Sequence, residues 1–158
     1  MKKHLLQISA MVLILLAAAT TGRSATLNVP GTYATIQAAI NAASDGDIIL
    51  IAAGTYNEAL SISKSLTFIG EGPVSLPTTI ITSTTSNVAQ LTAIGKSYTF
   101  QNLIIEGNGT NRGIYAGSTI DITSFTMQDV IARNFKVAVY FAEYYSGGAF
   151  QPALKHHR

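Results

Sequence analysis

Short apolar segments recur along the chain with the same alternation of apolar and polar positions. Residues 98–105 (Tyr-Thr-Phe-Gln-Asn-Leu-Ile-Ile) and 125–132 (Phe-Thr-Met-Gln-Asp-Val-Ile-Ala) are near copies, and residues 66–70 are a shorter echo. A short strand pattern that recurs in this way along a chain predicts stacked coils rather than a closed globular core. The linkers are too short for the helical crossovers that parallel strands normally need. The pattern therefore predicts an all-β parallel solenoid of about three coils, the last unfinished.

One helix is predicted before the first coil, over residues 34–43. Its apolar positions fall at i, i+3, i+4 and i+7 and form one stripe, made of Ile36, Ala39, Ile40 and Ala43. Thr32 or Thr35 can cap its start, and Gly46 suits the turn that follows its end. The helix is small and rich in alanine, so we expect it to cover the end of the sheet stack.

Alignment of the two long copies assigns a face to each position. Eight side chains are expected to point inward: Tyr98, Phe100, Leu103 and Ile105, and in the second copy Phe125, Met127, Val130 and Ala132. Asn102 and Asp129 coincide at the break between two strands. Asn and Asp tolerate the left-handed conformation that a one-residue corner requires. We therefore interpret both as structural corner residues rather than catalytic ones.

A second, evenly spaced repeat predicts an outward-facing row. Residues 88–91, 113–116 and 138–141 align so that Gln90, Tyr115 and Tyr140 lie one above another, about 4.8 Å apart. The tyrosines would form a flat, partly apolar strip with hydroxyls at its edge, and Arg112 comes just before the Tyr115 strand. Gln90, Arg112, Tyr115 and Tyr140 are the candidate substrate-binding residues. The alternatives are ordinary surface β-formers for the tyrosines and a solvated turn charge for Arg112.

The N-terminal segment 1–25 is predicted to be a secretory signal peptide. Lys2 and Lys3 precede an apolar run over residues 10–19, and cleavage is expected between positions 19 and 25. The run is shorter than the roughly 20 apolar residues that span a bilayer, so no stable membrane span is expected after signal removal; a retained anchor is the alternative. The predicted divisions are a signal peptide (1–25), an extended segment with the capping helix (26–46), the coils (47–141) and an irregular tail (142–158).

Charge and composition then exclude several kinds of site. Without Lys2, Lys3 and Arg23, seven of the ten basic residues remain against eight acidic ones, a net charge of −1, which gives no reason to expect a nucleic-acid partner. The chain has no cysteine, and its three histidines lie in the leader and the tail. No disulfide, thiolate zinc site or histidine-centred triad is therefore expected in the body. No motif indicates a nucleotide, flavin or haem cofactor, so none is expected; Ca²⁺ is left open as an alternative that the scattered carboxylates do not support.

Three segments resemble a known N-terminal arrangement: residues 29–40, 47–58 and 66–72. They are similar to the cap and first coil of right-handed parallel β-helix proteins of the pectin-lyase-like superfamily, which implies a right-handed β-helix and polysaccharide as the partner. Pectin methylesterases of this superfamily use two aspartates, one in a Gln-Asp-Thr element. Here Val130 follows Gln128 and Asp129, and the second aspartate motif is absent. No catalytic residue is therefore carried over from the resemblance.

Three functions are compatible with the sequence. The first is a secreted module that contacts polysaccharide without complete catalytic machinery, located outside the cell, at its surface or in the periplasm. The second is the N-terminal part of a polysaccharide lyase or pectin esterase, and the third is a structural or adhesive surface protein. No amphipathic closing helix follows the last repeat, so the chain is interpreted as the front of a longer β-helix or a truncated reading frame. An uncapped last coil is expected to favour self-association.

Overall fold

The computed structural model describes residues 23–141, which wind into a parallel β-solenoid of about five turns. Every strand pairing among these residues is parallel. The elements in chain order are β1 (Thr26–Val29), α1 (Ile36–Ala42), β2 (Ile48–Ile51), β3 (Gly54–Asn57), β4 (Leu60–Ile62), β5 (Leu66–Gly70), β6 (Thr79–Thr82), β7 (Ala89–Leu91), β8 (Lys96–Glu106), β9 (Arg112–Ala116), β10 (Ile122–Arg133) and β11 (Val137–Phe141).

Each coil has three faces. The first face stacks β1, β2, β5 and the N-terminal halves of β8 and β10, and the second stacks β3, β6 and the C-terminal halves of the same two strands. The third face is a separate sheet in the order β11-β9-β7-β4. β8 and β10 are the longest strands because each of them turns a corner and contributes to two faces.

The predicted number of about three coils was too small. Levels on the first face are unevenly spaced in sequence: Ile49 pairs with Phe68, Phe68 with Phe100, and Phe100 with Met127, and the first of these separations is much the shortest. A search for a regular period detects only the longer separations, and β1 adds a level that the repeats do not show. Gly54, expected to end a strand, instead begins β3.

The interior of the solenoid is apolar, as the repeats predicted. Tyr98, Phe100, Leu103 and Ile105 are each at most 2% exposed. The rings of Phe68 and Phe100 stack with centroids 4.9 Å apart. The second copy behaves differently: Phe125, Met127 and Val130 are only partly buried, and Ala132 is exposed. They align with the buried set, but no coil of the described part lies on top of them.

Asn102 and Asp129 form the corner between the first and second faces, as predicted. Both adopt the left-handed conformation, with φ of 52° and 54°. The side-chain amide of Asn102 donates hydrogen bonds to the carbonyl oxygens of Gly70 (2.8 Å) and Gly72 (3.0 Å). This corner is therefore fastened to the coil before it.

The helix α1 covers the start of the solenoid. It begins at Ile36, slightly later than predicted, and Thr35 is the cap, its side-chain oxygen accepting a hydrogen bond from the backbone N–H of Ala38. The predicted stripe is buried. In residues 23–141 no helix is long and apolar enough to span a bilayer. Nearly all of the predicted leader (residues 1–22) and the whole predicted tail (142–158) lie outside the described residues.

Candidate functional site

Three of the four candidate residues lie in one row on the outer side of the third face. Gln90 pairs in register with Tyr115, and Tyr115 with Tyr140. The predicted stacking of these three positions is confirmed. The structure extends the row by one level to Ser61, which pairs with Gln90. Alignment of the repeats missed Ser61 because its separation from Gln90 is longer than the even spacing that the other three positions share.

Alternation within the strands gives the row its exposure. On either side of Gln90, Ala89 and Leu91 are at most 2% exposed, and the neighbours of Tyr115, Ile114 and Ala116, are at most 1% exposed. The inward residues hold each strand against the core, so the residue between them must point outward. Tyr140 is 36% exposed and Tyr115 is half-buried.

The two tyrosine rings stack on one another. Their centroids are 5.7 Å apart and their planes differ by 8°. This arrangement follows from the spacing of about 4.8 Å between neighbouring strands. It changes the predicted picture of a flat strip, because part of each ring surface is used in the contact between the two rings. The pair presents to solvent the ring edges, the hydroxyls and the ring surface that is not in contact with the other ring.

Arg112 completes the cluster. Its guanidinium carbon lies 5.0 Å from the ring centroid of Tyr115 and 4.3 Å from that of Tyr140. Both distances are within the range of cation–π attraction. Arg112 forms no ion pair with any of residues 23–141, so its charge is not neutralised there. We call Arg112, Tyr115 and Tyr140 the Arg–Tyr cluster.

A polar turn positions Arg112 at the start of β9. The side-chain oxygen of Asn108 accepts hydrogen bonds from the backbone N–H groups of Thr110 and Asn111. The side-chain amide of Asn111 donates to the carbonyl oxygens of Ser83 and Ser86 in the preceding coil. The backbone N–H of Arg112 donates to the side chain of Asn87. These hydrogen bonds hold the turn against the preceding coil and thereby fix the backbone position of Arg112.

Glycine allows the close approach of β9 to β11 beside the cluster. A Cβ atom at Gly113 would overlap the carbonyl oxygen of Ala138. Gly113 therefore permits the strand contact that brings Tyr115 and Tyr140 together. The alignment of Gly113 with Ala138 in the sequence was visible, but the need for a glycine was not.

Several carboxylates elsewhere in the described part have structural partners. Glu106 binds Arg133 at 2.9 Å, and Asp45 binds Lys96 at 2.7 Å. The hydrogen bond from Arg133 lowers the pKa of Glu106, and the hydrogen bond from Lys96 lowers the pKa of Asp45. Asp47 is buried and accepts hydrogen bonds from the backbone N–H groups of Ala25 and Ser44. Among residues 23–141, no three His, Asp or Glu side chains lie close enough together to hold a metal ion.

Comparison of the chain with protein-family models, curated proteins and solved structures found no match. The structure itself shows a parallel β-solenoid. On its third face, the guanidinium of Arg112 lies over the stacked rings of Tyr115 and Tyr140.

Proposed function

We propose that this protein is a secreted β-helix module that contacts polysaccharide through the Arg–Tyr cluster. The observation that carries the proposal is the guanidinium of Arg112 lying over the two stacked rings of Tyr115 and Tyr140 on an outward face. Sugars offer C–H groups that pack on aromatic surface and hydroxyls that need hydrogen-bond partners. Tyrosine combines an apolar ring with a polar hydroxyl, and arginine adds five N–H donors.

The shape of the row suits a chain-like ligand. Ser61, Gln90, Tyr115 and Tyr140 follow one another along the solenoid axis, at about 4.8 Å per level. Gln90 is exposed and supplies an amide donor and acceptor next to the cluster. A polysaccharide lying along the axis would meet polar groups at successive levels, with the aromatic pair at one end. No catalytic role is assigned to any of these residues.

We further propose that the chain is a member of the pectin-lyase-like superfamily, with a right-handed winding. Support comes from the resemblance of residues 29–40 and 47–58 to the cap and first coil of that superfamily. The all-parallel solenoid with a helix at its start is compatible with it. The superfamily's frequent use of polysaccharide ligands is the second reason for choosing this partner.

A structural role is the competing proposal, and one observation favours it. The Arg–Tyr cluster links the neighbouring strands β9 and β11, since Arg112 and Tyr115 lie on β9 and Tyr140 lies on β11. Ring stacking and cation–π contacts of this kind stabilise neighbouring strands by about 0.5–1 kcal/mol each. The same three residues could thus serve only to hold two coils of a stiff surface rod together.

Affinity electrophoresis with soluble pectins, glucans and xylans separates the two proposals. We expect the wild-type protein to be retarded by at least one polysaccharide, and the double variant Tyr115→Ala/Tyr140→Ala to lose nearly all of that retardation, since stacking surface and hydroxyls are both removed. The matched control is Leu76→Ala/Ile94→Ala, which truncates two side chains outside the row that are 66% and 65% exposed. It should bind like the wild type.

Thermal unfolding of the same variants completes the design. A purely structural cluster predicts a lower melting temperature for the double tyrosine variant and no retardation of the wild-type protein by any polysaccharide. That pair of results would rule out the binding proposal. Binding that survives loss of both tyrosines would place the contact surface elsewhere.

A further inference from the structure

The last described coil ends in a long strand edge that has no partner within residues 23–141. β10 pairs with β8 only, through one of its two edges. In a parallel pair, the backbone groups of alternate residues point away from the partner strand. β10 has 12 residues, so several N–H and C=O groups along its other edge have no strand partner among residues 23–141.

Side chains that belong to the interior are open at this same end. Phe100, Leu103 and Ile105 are at most 2% exposed, whereas their partners Met127 and Val130 are only partly buried and Ala132 is exposed. On the outer surface of the same strand, Ile131 is 44% exposed. An apolar cross-section thus lies beside a backbone edge that no strand of the described part pairs with, so a partner that supplied a further coil would cover both.

The sequence of this edge, residues 124–132, lacks the residues that normally prevent strand pairing. Exposed edges are commonly protected by lysine, proline, bulges or a covering element. Residues 124–132 contain no lysine, proline or glycine, and Asp129 is their only charged residue. Arg133 is engaged with Glu106, and the irregularity in pairing lies at the start of the strand, between Ile122 and Ser124. The opposite end of the solenoid is covered by α1.

The pattern of inward and outward residues along β10 reads the same in both directions about its corner. Inward positions are Phe125 and Met127 on the first face and Val130 and Ala132 on the second. An antiparallel partner centred between Gln128 and Asp129 places Phe125 opposite Ala132 and Met127 opposite Val130. All inward side chains then face inward side chains. A shift of one residue would place inward positions opposite outward ones.

We infer that β10 pairs with β10 of a second copy of this chain across a two-fold axis through the Asp129 corner. Such an axis, perpendicular to the solenoid, exchanges the two limbs of the bent strand and joins the open interiors of the two molecules. The interface is isologous, meaning that the same patch contacts itself. Because α1 covers the far end of each copy, assembly through these ends stops at a dimer.

Charge substitutions next to the axis test this register. Gln128 is exposed and would face Asp129 of the second copy. Gln128→Asp places four carboxylates around the axis and should weaken the dimer several-fold, whereas Gln128→Lys makes two opposite-charge pairs and should tighten it several-fold, as measured by sedimentation equilibrium. Charges directly opposite each other on neighbouring strands attract or repel measurably. The matched controls are Gln101→Asp and Gln101→Lys, since Gln101 is the register partner of Gln128 one coil further in; they should leave the dissociation constant unchanged.

Disulfide trapping gives an independent measurement, because the chain has no cysteine of its own. In the proposed register Thr126 faces Ile131 of the second copy. The double variant Thr126→Cys/Ile131→Cys should therefore form covalent dimers under mild oxidation, and each single variant should form far fewer. A protein that is monomeric at all concentrations, a dimer insensitive to both Gln128 substitutions, or equal trapping of single and double variants would overturn the inference.

Discussion

The corner between the first and second faces shows how one side chain decides local stability. At Asn102 the amide donates to two carbonyl groups of the preceding coil, at 2.8 and 3.0 Å. Asp129 occupies the equivalent corner one coil later with nearly the same φ, but an ionised carboxylate has no proton to donate. The later corner therefore lacks the hydrogen bonds that hold the earlier one.

We expect Asp129→Asn to stabilise the protein. An asparagine at this φ can repeat the bond made by Asn102 and donate to the coil below, with a gain of about 0.5–1.5 kcal/mol. The measurement is urea unfolding at a concentration where sedimentation shows both proteins as monomers. The control is Asp121→Asn, which removes an exposed carboxylate on the same coil. An equal gain from both substitutions would indicate a general charge effect rather than a corner bond.

The sequence predicted the positions of some individual residues but not of all of them. Asn102, Asp129 and the row from Gln90 to Tyr140 could be placed because they recur in aligned repeats, and recurrence predicts stacking. The position of Arg112 over both rings could not, since it depends on side-chain rotamers and on the turn that precedes β9.

The capping helix α1 is short and is held by side chains of the first coil. Glu58 accepts hydrogen bonds from the backbone N–H groups of Ile36 (3.0 Å) and Gln37 (2.9 Å). At the other end, the ammonium of Lys64 donates to three carbonyl oxygens, those of Ile40, Asn41 and Ala43. A negative group near the first turn and a positive group near the last complement the helix dipole. A helix as short as α1 is not stable in isolation, so these contacts are needed.

We expect Glu58→Ala to destabilise the cap by about 1–3 kcal/mol, because two backbone donors of a partly buried helix start lose a charged acceptor. Hydrogen exchange should show faster exchange of the Ile36 and Gln37 amides and little change in β8. Glu71→Ala is the control, as Glu71 is exposed and its carboxylate accepts no hydrogen bond from residues 23–141. If both variants unfold alike, Glu58 does not anchor the helix.

At the scale of elements, periodicity predicted the helix and most strands but not their limits. The stripe of Ile36, Ala39 and Ile40 identifies α1 because only one helical face is apolar. β3 was missed, since Gly54-Thr55-Tyr56-Asn57 shows no alternation and is a strand only through its pairing with β6. Tertiary pairing, which local sequence does not encode, decides such short segments.

Over the whole molecule, polar contacts connect coils that are distant in sequence. Asp45, which precedes β2, accepts a hydrogen bond from the backbone N–H of Ser65 and binds Lys96 at the start of β8. Glu106 binds Arg133 and the side-chain amide of Asn134 in the last described coil. Both carboxyl groups have a lowered pKa, mainly because of hydrogen bonds from Lys96 and Arg133 respectively. Their negative form is thus favoured by the folded state.

This predicts a loss of stability in acid. When the folded pKa of a carboxyl group lies below its unfolded value, the unfolded state binds protons first as the pH falls, and the stabilisation disappears from about pH 5 downward. Glu106→Gln should unfold at a lower temperature than the wild type at neutral pH, and the gap should narrow in acid, as followed by circular dichroism. A gap that is constant with pH would mean that the ion pair with Arg133 contributes nothing.

The coils differ in length because the loops at the corner between the first and second faces differ in length. Only Ala52 and Ala53 separate β2 from β3, whereas the longer segment 71–78 separates β5 from β6 at the same corner, and Val74 and Leu76 project there at 59% and 66% exposure. The ladders on either side are nevertheless in step: Ile51 meets Gly70, and Gly54 meets Thr79. The additional residues of the longer segment form a loop that projects from the solenoid, and the strands before and after it keep their register. Insertions in the loop at that corner are therefore expected to leave the register of the stacked strands unchanged.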